Sequence, residues 1–180
     1  MIMYISEIYR GRPADERSAA ENASYDLLDS LAIEYERLDH DVTAAMEDCE
    51  AVGKILGIKI CKNLFLTNRQ KTDFYLLMMP GDKEFRTKDL SHQIGSARLS
   101  FAGADFMKAF LNTEPGSVSV LGLMNDKEGR VRLLIDKDVL KDDYIGCHPC
   151  KNTSSLKIKT SDLLEKILPS IKHEPFEVEL

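Results

Sequence analysis

Apolar and polar positions alternate along this chain in two distinct rhythms. Ala20, Ala23, Leu27, Leu28 and Leu31 recur at helical spacing and predict an amphipathic helix over residues 17–31. The stretch Ile33-Glu34-Tyr35-Glu36-Arg37-Leu38 alternates instead and predicts a short strand. Thr43 reads as an N-cap, with Glu47 and Asp48 in the first turn of a helix that ends near Gly53 or Gly57. Residues 58–66 and 73–79 predict two strands around the polar turn Asn68-Arg69-Gln70-Lys71. Pro80-Gly81-Asp82 breaks the chain, and helices over 87–94 and 104–111 follow. Strands are then predicted at 118–123, 131–135, 144–147 and 154–159, with Asn125–Gly129 as a hairpin-type connection between the first two. A helix at 161–168 and an extended tail at 175–180 close the pattern. Strand runs joined by hairpins dominate the second half, which favours an α+β fold over a regular parallel sheet.

The absence of a linker, repeat or low-complexity tract points to one domain over residues 1–180. Hydrophobic residues make up 43% and charged residues 30%, an ordinary globular composition. No apolar run approaches the roughly 18 residues of a membrane span. Met1 to Glu7 lack the basic start of a secretory signal, so the expected compartment is the cytoplasm. The net charge of −6 argues against broad binding to DNA or RNA, which needs many phosphate contacts. A local contact with an RNA end is still open to Lys62, Arg69, Lys71, Lys151, Lys157 and Lys159, each of which otherwise reads as a solvated charge. Cys49, Cys61, Cys147 and Cys150 read as free thiols in such a compartment.

Three segments could carry chemistry. In the first, Cys61-Lys62-Asn63-Leu64-Phe65-Leu66, a lysine stands between apolar positions of a predicted strand. Its ammonium needs a partner or a purpose, unless it guards a sheet edge or snorkels to solvent. The second, Glu114 to Leu123, is a Pro-Gly turn whose backbone amides could bind an oxyanion, or an ordinary turn. The third, Gly146-Cys147-His148-Pro149-Cys150-Lys151-Asn152-Thr153, has three readings. C-x-x-C resembles a redox site, although Asn152 to Lys159 look like strand and not like the helix that such a site normally precedes. Zinc would need two further ligands, and Cys49, Cys61, His40, His92 and His173 include no second close pair. The remaining reading is a polar loop that places His148 and Asn152 in a pocket. Nucleophile-elbow, zincin, P-loop and dinucleotide motifs are all absent.

In order and spacing, the chain resembles the YbaK/prolyl-tRNA-synthetase-associated editing superfamily, and within it the free-standing prolyl-tRNA deacylase branch. The likeness runs from Gly11-Arg12-Pro13 and Tyr25-Asp26-Leu27-Leu28 through His40, Met46-Glu47-Asp48-Cys49 and Cys61–Leu66. It continues over Leu76-Leu77-Met78-Met79-Pro80-Gly81-Asp82-Lys83, Arg98–Ala102, Pro115-Gly116-Ser117-Val118, Gly122–Asp126 and Gly146-x-His148-Pro149-x-x-Asn152-Thr153. Two departures from the wider superfamily are Val120, where many members carry proline, and Cys147, where many carry an apolar residue. The resemblance implies a curved mixed sheet flanked by helices, and hydrolysis of the ester joining a wrong amino acid to the 3′ end of tRNA, alanine on proline tRNA being the expected case. It implies Lys62, Gly116 and His148 as catalytic residues, Lys62 holding the terminal adenosine phosphate or polarising the ester. Asn63 would orient the substrate, and the loop Pro115, Gly116, Ser117, Val118, Ser119, Val120 would offer amides to the carbonyl oxygen. His148, with Gly146 beside it and Asn152 behind it, would line the aminoacyl pocket. No metal, cofactor, DNA or membrane is implied; the expected partners are the mischarged tRNA end and, transiently, prolyl-tRNA synthetase. A binding module without catalysis and a C-x-x-C redox protein are the alternative functions.

Overall fold

A computed structural model describes residues 3–180; Met1 and Ile2, on which the expectation about a secretory signal partly falls, lie outside the described residues. After a short strand β1 (Tyr9–Arg10), helix α1 spans Ala19–Ser30. A capping box starts it: the Ser18 hydroxyl accepts the Glu21 N–H at 3.3 Å, and the Glu21 carboxylate accepts the Ser18 N–H at 3.2 Å. Arg17, expected inside the helix, lies before the cap and pairs with Asp39 at 2.8 Å. Strand β2 (Tyr35–Asp39) precedes helix α2 (Met46–Leu56). Thr43 is not its cap. The Asp48 carboxylate reaches back to the N–H groups of Ala44 and Ala45 at 3.1 Å each, so the helix opens later. Gly57, at φ +64°, closes it.

Strands β3 (Cys61–Asn68) and β4 (Phe74–Pro80) form the expected hairpin, its turn held by Asn68 Oδ1, which accepts from the N–H groups of Thr72 and Asp73. Helix α3 (Thr87–Ile94), strand β5 (Leu99–Phe101) and helix α4 (Ala104–Phe106), continued by a π turn at Met107–Leu111, follow. Residues 118–123 depart from expectation. A 3₁₀ helix covers Val120–Asn125, opened by the Ser119 hydroxyl accepting the Leu121 N–H. Val120, Leu121 and Leu123 are all buried, so an apolar run mimicked a strand. Residues 125–129 therefore join a helix to a strand: Asp126 accepts the N–H groups of Arg130 and Val131, delivering the chain into β6 (Val131–Asp136). Strands β7 (Tyr144–Cys147) and β8 (Ser154–Lys159) come next. A helical run follows, from α5 (Thr160–Asp162) through a π turn to α6 (Leu168–Ser170), and β9 (Pro175–Val178) ends the order.

The strands divide into two sheets. One is antiparallel, ordered β1-β2-β8-β7; the other is mixed, ordered β5-β3-β4-β6-β9, with β4, β6 and β9 parallel. Strand β4 lies at the centre of the mixed sheet and is apolar on both faces, as such a position requires. Phe74, Leu76 and Met78 face the main core with Tyr25, Leu28, Leu133 and Leu156, while Tyr75, Leu77 and Met79 face Leu90 of α3. This is a single compact α+β domain. Among the described residues no helix is long and apolar enough to cross a membrane.

Candidate active site

Strand β3 sorts its residues by a period of two. Cys61 and Phe65 join the main core, which puts Asn63 on that face; Leu64 and Leu66 belong to the α3 side, the side to which Lys62 is assigned by the same alternation. Asn63 lines a cavity of about 50 Å³ together with Thr43, Cys49, Val52, Ile58, Ile60, Cys61, Gly146, Cys147, His148 and Ser155. A Cβ on Gly146 would lie 2.5 Å from Ile58 Cδ1, so strand β7 runs close against the side chain that walls the cavity. A groove of about 840 Å³ shares Ile58, Ile60 and Cys61 with the cavity, so the two adjoin.

His148 is the titratable centre of this cavity. Its Nδ1 lies 2.8 Å from the Ser154 carbonyl, which can only accept, so Nδ1 carries the proton. Burial holds its pKa below the usual histidine value; His40, with its ring centroid 6.1 Å away, works in the same direction, against the Ser154 bond. The neutral ring thus presents an Nε2 lone pair. Asn63 adds an uncommitted amide, since its Oδ1 is buried without a hydrogen-bond partner. Among the described residues, the cavity therefore pairs a proton acceptor with an amide oxygen that can still accept a hydrogen bond.

The loop 148–153 is fastened on two sides. Ser119 Oγ donates to the His148 carbonyl at 2.6 Å, and the Asn152 N–H donates to Ser117 Oγ at 3.1 Å. The Asn152 side chain turns to Thr43: Nδ2 donates to the Thr43 carbonyl at 3.0 Å, and Oδ1 accepts from the Thr43 N–H and hydroxyl. Thr43 leads into α2, which contributes Cys49 and Val52 to the wall.

A family model described as the aminoacyl-tRNA editing domain matches residues 40–166. The chain belongs to this family. The prolyl-tRNA editing protein ProX of Acetoanaerobium sticklandii is 32% identical over 149 residues, covering 83% of this chain and 90% of that protein. Prolyl-tRNA synthetase associated domain-containing protein 1 of Danio rerio is 28% identical over 91% of this chain and 86% of its own. A solved structure, provisionally described as a trans-editing enzyme for prolyl tRNA synthetase, superposes with a TM-score of 0.66 at 12% identity, covering 92% of this chain and 99% of that one. That likeness shows the same fold. The activity class of this editing domain is aminoacyl-tRNA deacylation.

Within the editing domain, the residues singled out from sequence fall into three places. Asn63, Gly146 and His148 meet at the cavity. Pro115, Gly116, Ser117, Val118, Ser119 and Val120 are not among its lining residues and stand behind the His148 loop. Gly116, at φ +86°, passes so close to Asn152 that a Cβ would lie 3.3 Å from Nδ2. Lys62 Nζ donates to the Lys83 carbonyl at 2.7 Å, and Lys83 lines the groove.

The thiols of the C-x-x-C are buried and unpaired with one another. Burial pushes Cys150 up to about 11 and Cys147 higher, the reverse of an activated redox thiol. Cys61 is likewise pushed up by burial to about 12. Among the described residues no group of three or more His, Cys, Asp or Glu is placed to hold a metal ion. Cys49, Val52 and Ser155 carry no local signal of a site. Thr43 does carry one, as a helix cap, but its partner is Asn152.

Proposed function

We propose that the chain is a trans-editing enzyme that hydrolyses the ester of mischarged tRNA(Pro), with alanyl-tRNA(Pro) as its substrate. The observation that carries this reading is His148: a neutral imidazole whose Nδ1–H is tied to Ser154, leaving Nε2 to accept a proton at a cavity of about 50 Å³. That volume holds only a few heavy atoms, which suits a small aminoacyl group. Three ring methylenes of proline would crowd the wall, and such overpacking costs about 1–3 kcal/mol, enough for a hundredfold preference at the upper end. The names of the relatives, which refer to prolyl-tRNA, support the choice of tRNA.

In this reading the aminoacyl group enters the cavity and the terminal nucleotide lies in the adjoining groove. His148 Nε2 takes the proton from an attacking water or from the 2′-OH of the tRNA, while Asn63, its Oδ1 free to accept from the substrate's amino group, orients the substrate. An aminoacyl ester is already activated, so positioning and charge stabilisation supply most of the acceleration. Lys62, held at the Lys83 carbonyl on the groove side, meets the terminal phosphate with its remaining N–H donors. The Pro115–Val120 loop, Gly116 included, acts from behind by fixing His148 and Asn152. Prolyl-tRNA synthetase is the protein partner expected besides the tRNA end.

The test is a deacylation panel of Ala-, Cys-, Ser- and Pro-charged tRNA(Pro), with Ala-tRNA(Ala) as control. Rapid release of alanine from tRNA(Pro) alone is the expected result. Clearance of a different mischarged tRNA overturns the substrate, and RNA binding without release of any amino acid overturns the enzyme.

A further inference from the structure

Asp136, at the end of β6, is 0% exposed. A carboxylate so buried requires a cation and donors. Lys83 Nζ lies 3.0 Å from each of its oxygens, and the N–H groups of Asp138 and Leu180 donate to it at 2.8 and 3.2 Å. Lys83 Nζ also lies 2.6 Å from Asp138. The main-chain carbonyl of the same lysine receives the Lys62 ammonium, which among the described residues is the single hydrogen bond that Nζ makes.

The turn carrying this carbonyl is fixed at both ends. At one, the Gly81 N–H donates to the Ile60 carbonyl at 2.8 Å, and a Cβ on Gly81 would lie 2.8 Å from Met46 Cε and 2.9 Å from that carbonyl. At the other, the Lys83–Asp136 pair ties the turn to β6. A buried ion pair is a poor way to gain stability, because apolar residues of similar volume do as well or better. What it does supply is a defined position.

Resting on the reading that Lys62 acts on the substrate, we propose that Lys83 is a positioning residue. Its ion pair with buried Asp136 holds the carbonyl that keeps the Lys62 ammonium beside the groove. The Pro80-Gly81-Asp82-Lys83 segment, prominent in the sequence, thereby gains a role in the reaction without touching substrate.

Removing Lys83 alone would leave Asp136 charged and unpaired, so the informative variant is the double substitution Lys83→Met with Asp136→Asn. Single-turnover deacylation is compared among four folded proteins: wild type, Lys62→Ala, the double variant, and the combination of all three. The double variant is expected to be slower by about tenfold or more, and to cause no further loss where Lys62 is already alanine. Lys83→Arg, which keeps the charge, should restore most of the rate. In parallel, acetic anhydride labelling of Lys62, read by mass spectrometry, should rise several-fold in the double variant. Unchanged labelling, or an equal loss with and without Lys62, overturns the positioning role. A full rate in Lys62→Ala would instead overturn the underlying reading of Lys62, so the two failures are distinct.

Discussion

Replacing Asn152 with alanine tests how the site is held together. The residue is 9% exposed, and its side chain makes three hydrogen bonds to Thr43 alone. Each is worth about 0.5–1.5 kcal/mol net, and truncation also leaves the Thr43 N–H and carbonyl partly desolvated without partners. The expected loss is about 3 kcal/mol. For a domain of this size that lowers the Tm by about 6–12 °C. Urea unfolding and calorimetry would measure it, with an unchanged m-value confirming that only the native state was affected. Because the amide faces Thr43, the KM for aminoacyl-tRNA should move little in molecules that remain folded. A loss under about 1 kcal/mol together with a raised KM would refute this reasoning and return Asn152 to the role of a substrate contact. Asn152→Asp should be at least as damaging, since it turns the Nδ2 donor into an acceptor facing the Thr43 carbonyl.

His148→Asn should lower single-turnover deacylation by about 10²–10⁴, the range for loss of a general base, while circular dichroism is unchanged. Because burial lowers the His148 pKa, the wild-type rate, corrected for spontaneous hydrolysis, should fall as the ring protonates with a midpoint below the ordinary histidine value of 6.5; a midpoint above that value would contradict this. His173→Ala should destabilise the fold by about 1–3 kcal/mol in denaturant titrations, because it strips buried Asp126 of a hydrogen bond to a ring nitrogen 3.0 Å away. Burial works to raise the Asp39 pKa, but hydrogen bonds from Arg17 and Arg37 outweigh it and bring the value from 3.8 to about 2. A folded-state pKa below the unfolded one stabilises above the latter and loses that contribution as pH falls through the former. About 2 kcal/mol should therefore disappear between about pH 4 and pH 2, and Asp39→Asn should flatten that part of the stability curve.

The elements that were legible in the chain are those whose signals are local. Helix α1 announces itself through Ser18, Glu21 and its spaced apolar residues, and the β3–β4 hairpin through Asn68 between two apolar runs. The stretch Val118–Leu123 was not legible, because its consecutive apolar residues fit a buried strand as well as the 3₁₀ helix that Ser119 opens. The start of α2 was misplaced because Thr43 and Asp48 both look like capping residues, and Thr43 is drawn away by an asparagine 109 positions later. Division of the strands into two sheets also depends on which edges meet, and no single strand carries that information.

Residue order alone, through its motifs, indicated the family and the α+β class, and it offered His148 and Asn63 as candidates that the fold brings to one cavity. Composition set only the limits: no apolar run long enough for a membrane-spanning helix, and a net charge of −6. Tertiary structure decided the rest. It placed Lys62 on the sheet face opposite to Asn63, set the Pro115–Val120 loop behind His148, and enlisted Cys49, Val52 and Ser155 as cavity walls. The reason is range. Helix caps and strand alternation act within a few residues, whereas the Ser119–His148, Lys62–Lys83 and Thr43–Asn152 contacts bridge 29, 21 and 109 positions. Contacts of that length form only when the core has brought the segments together, and there packing selects among partners that local chemistry leaves equal.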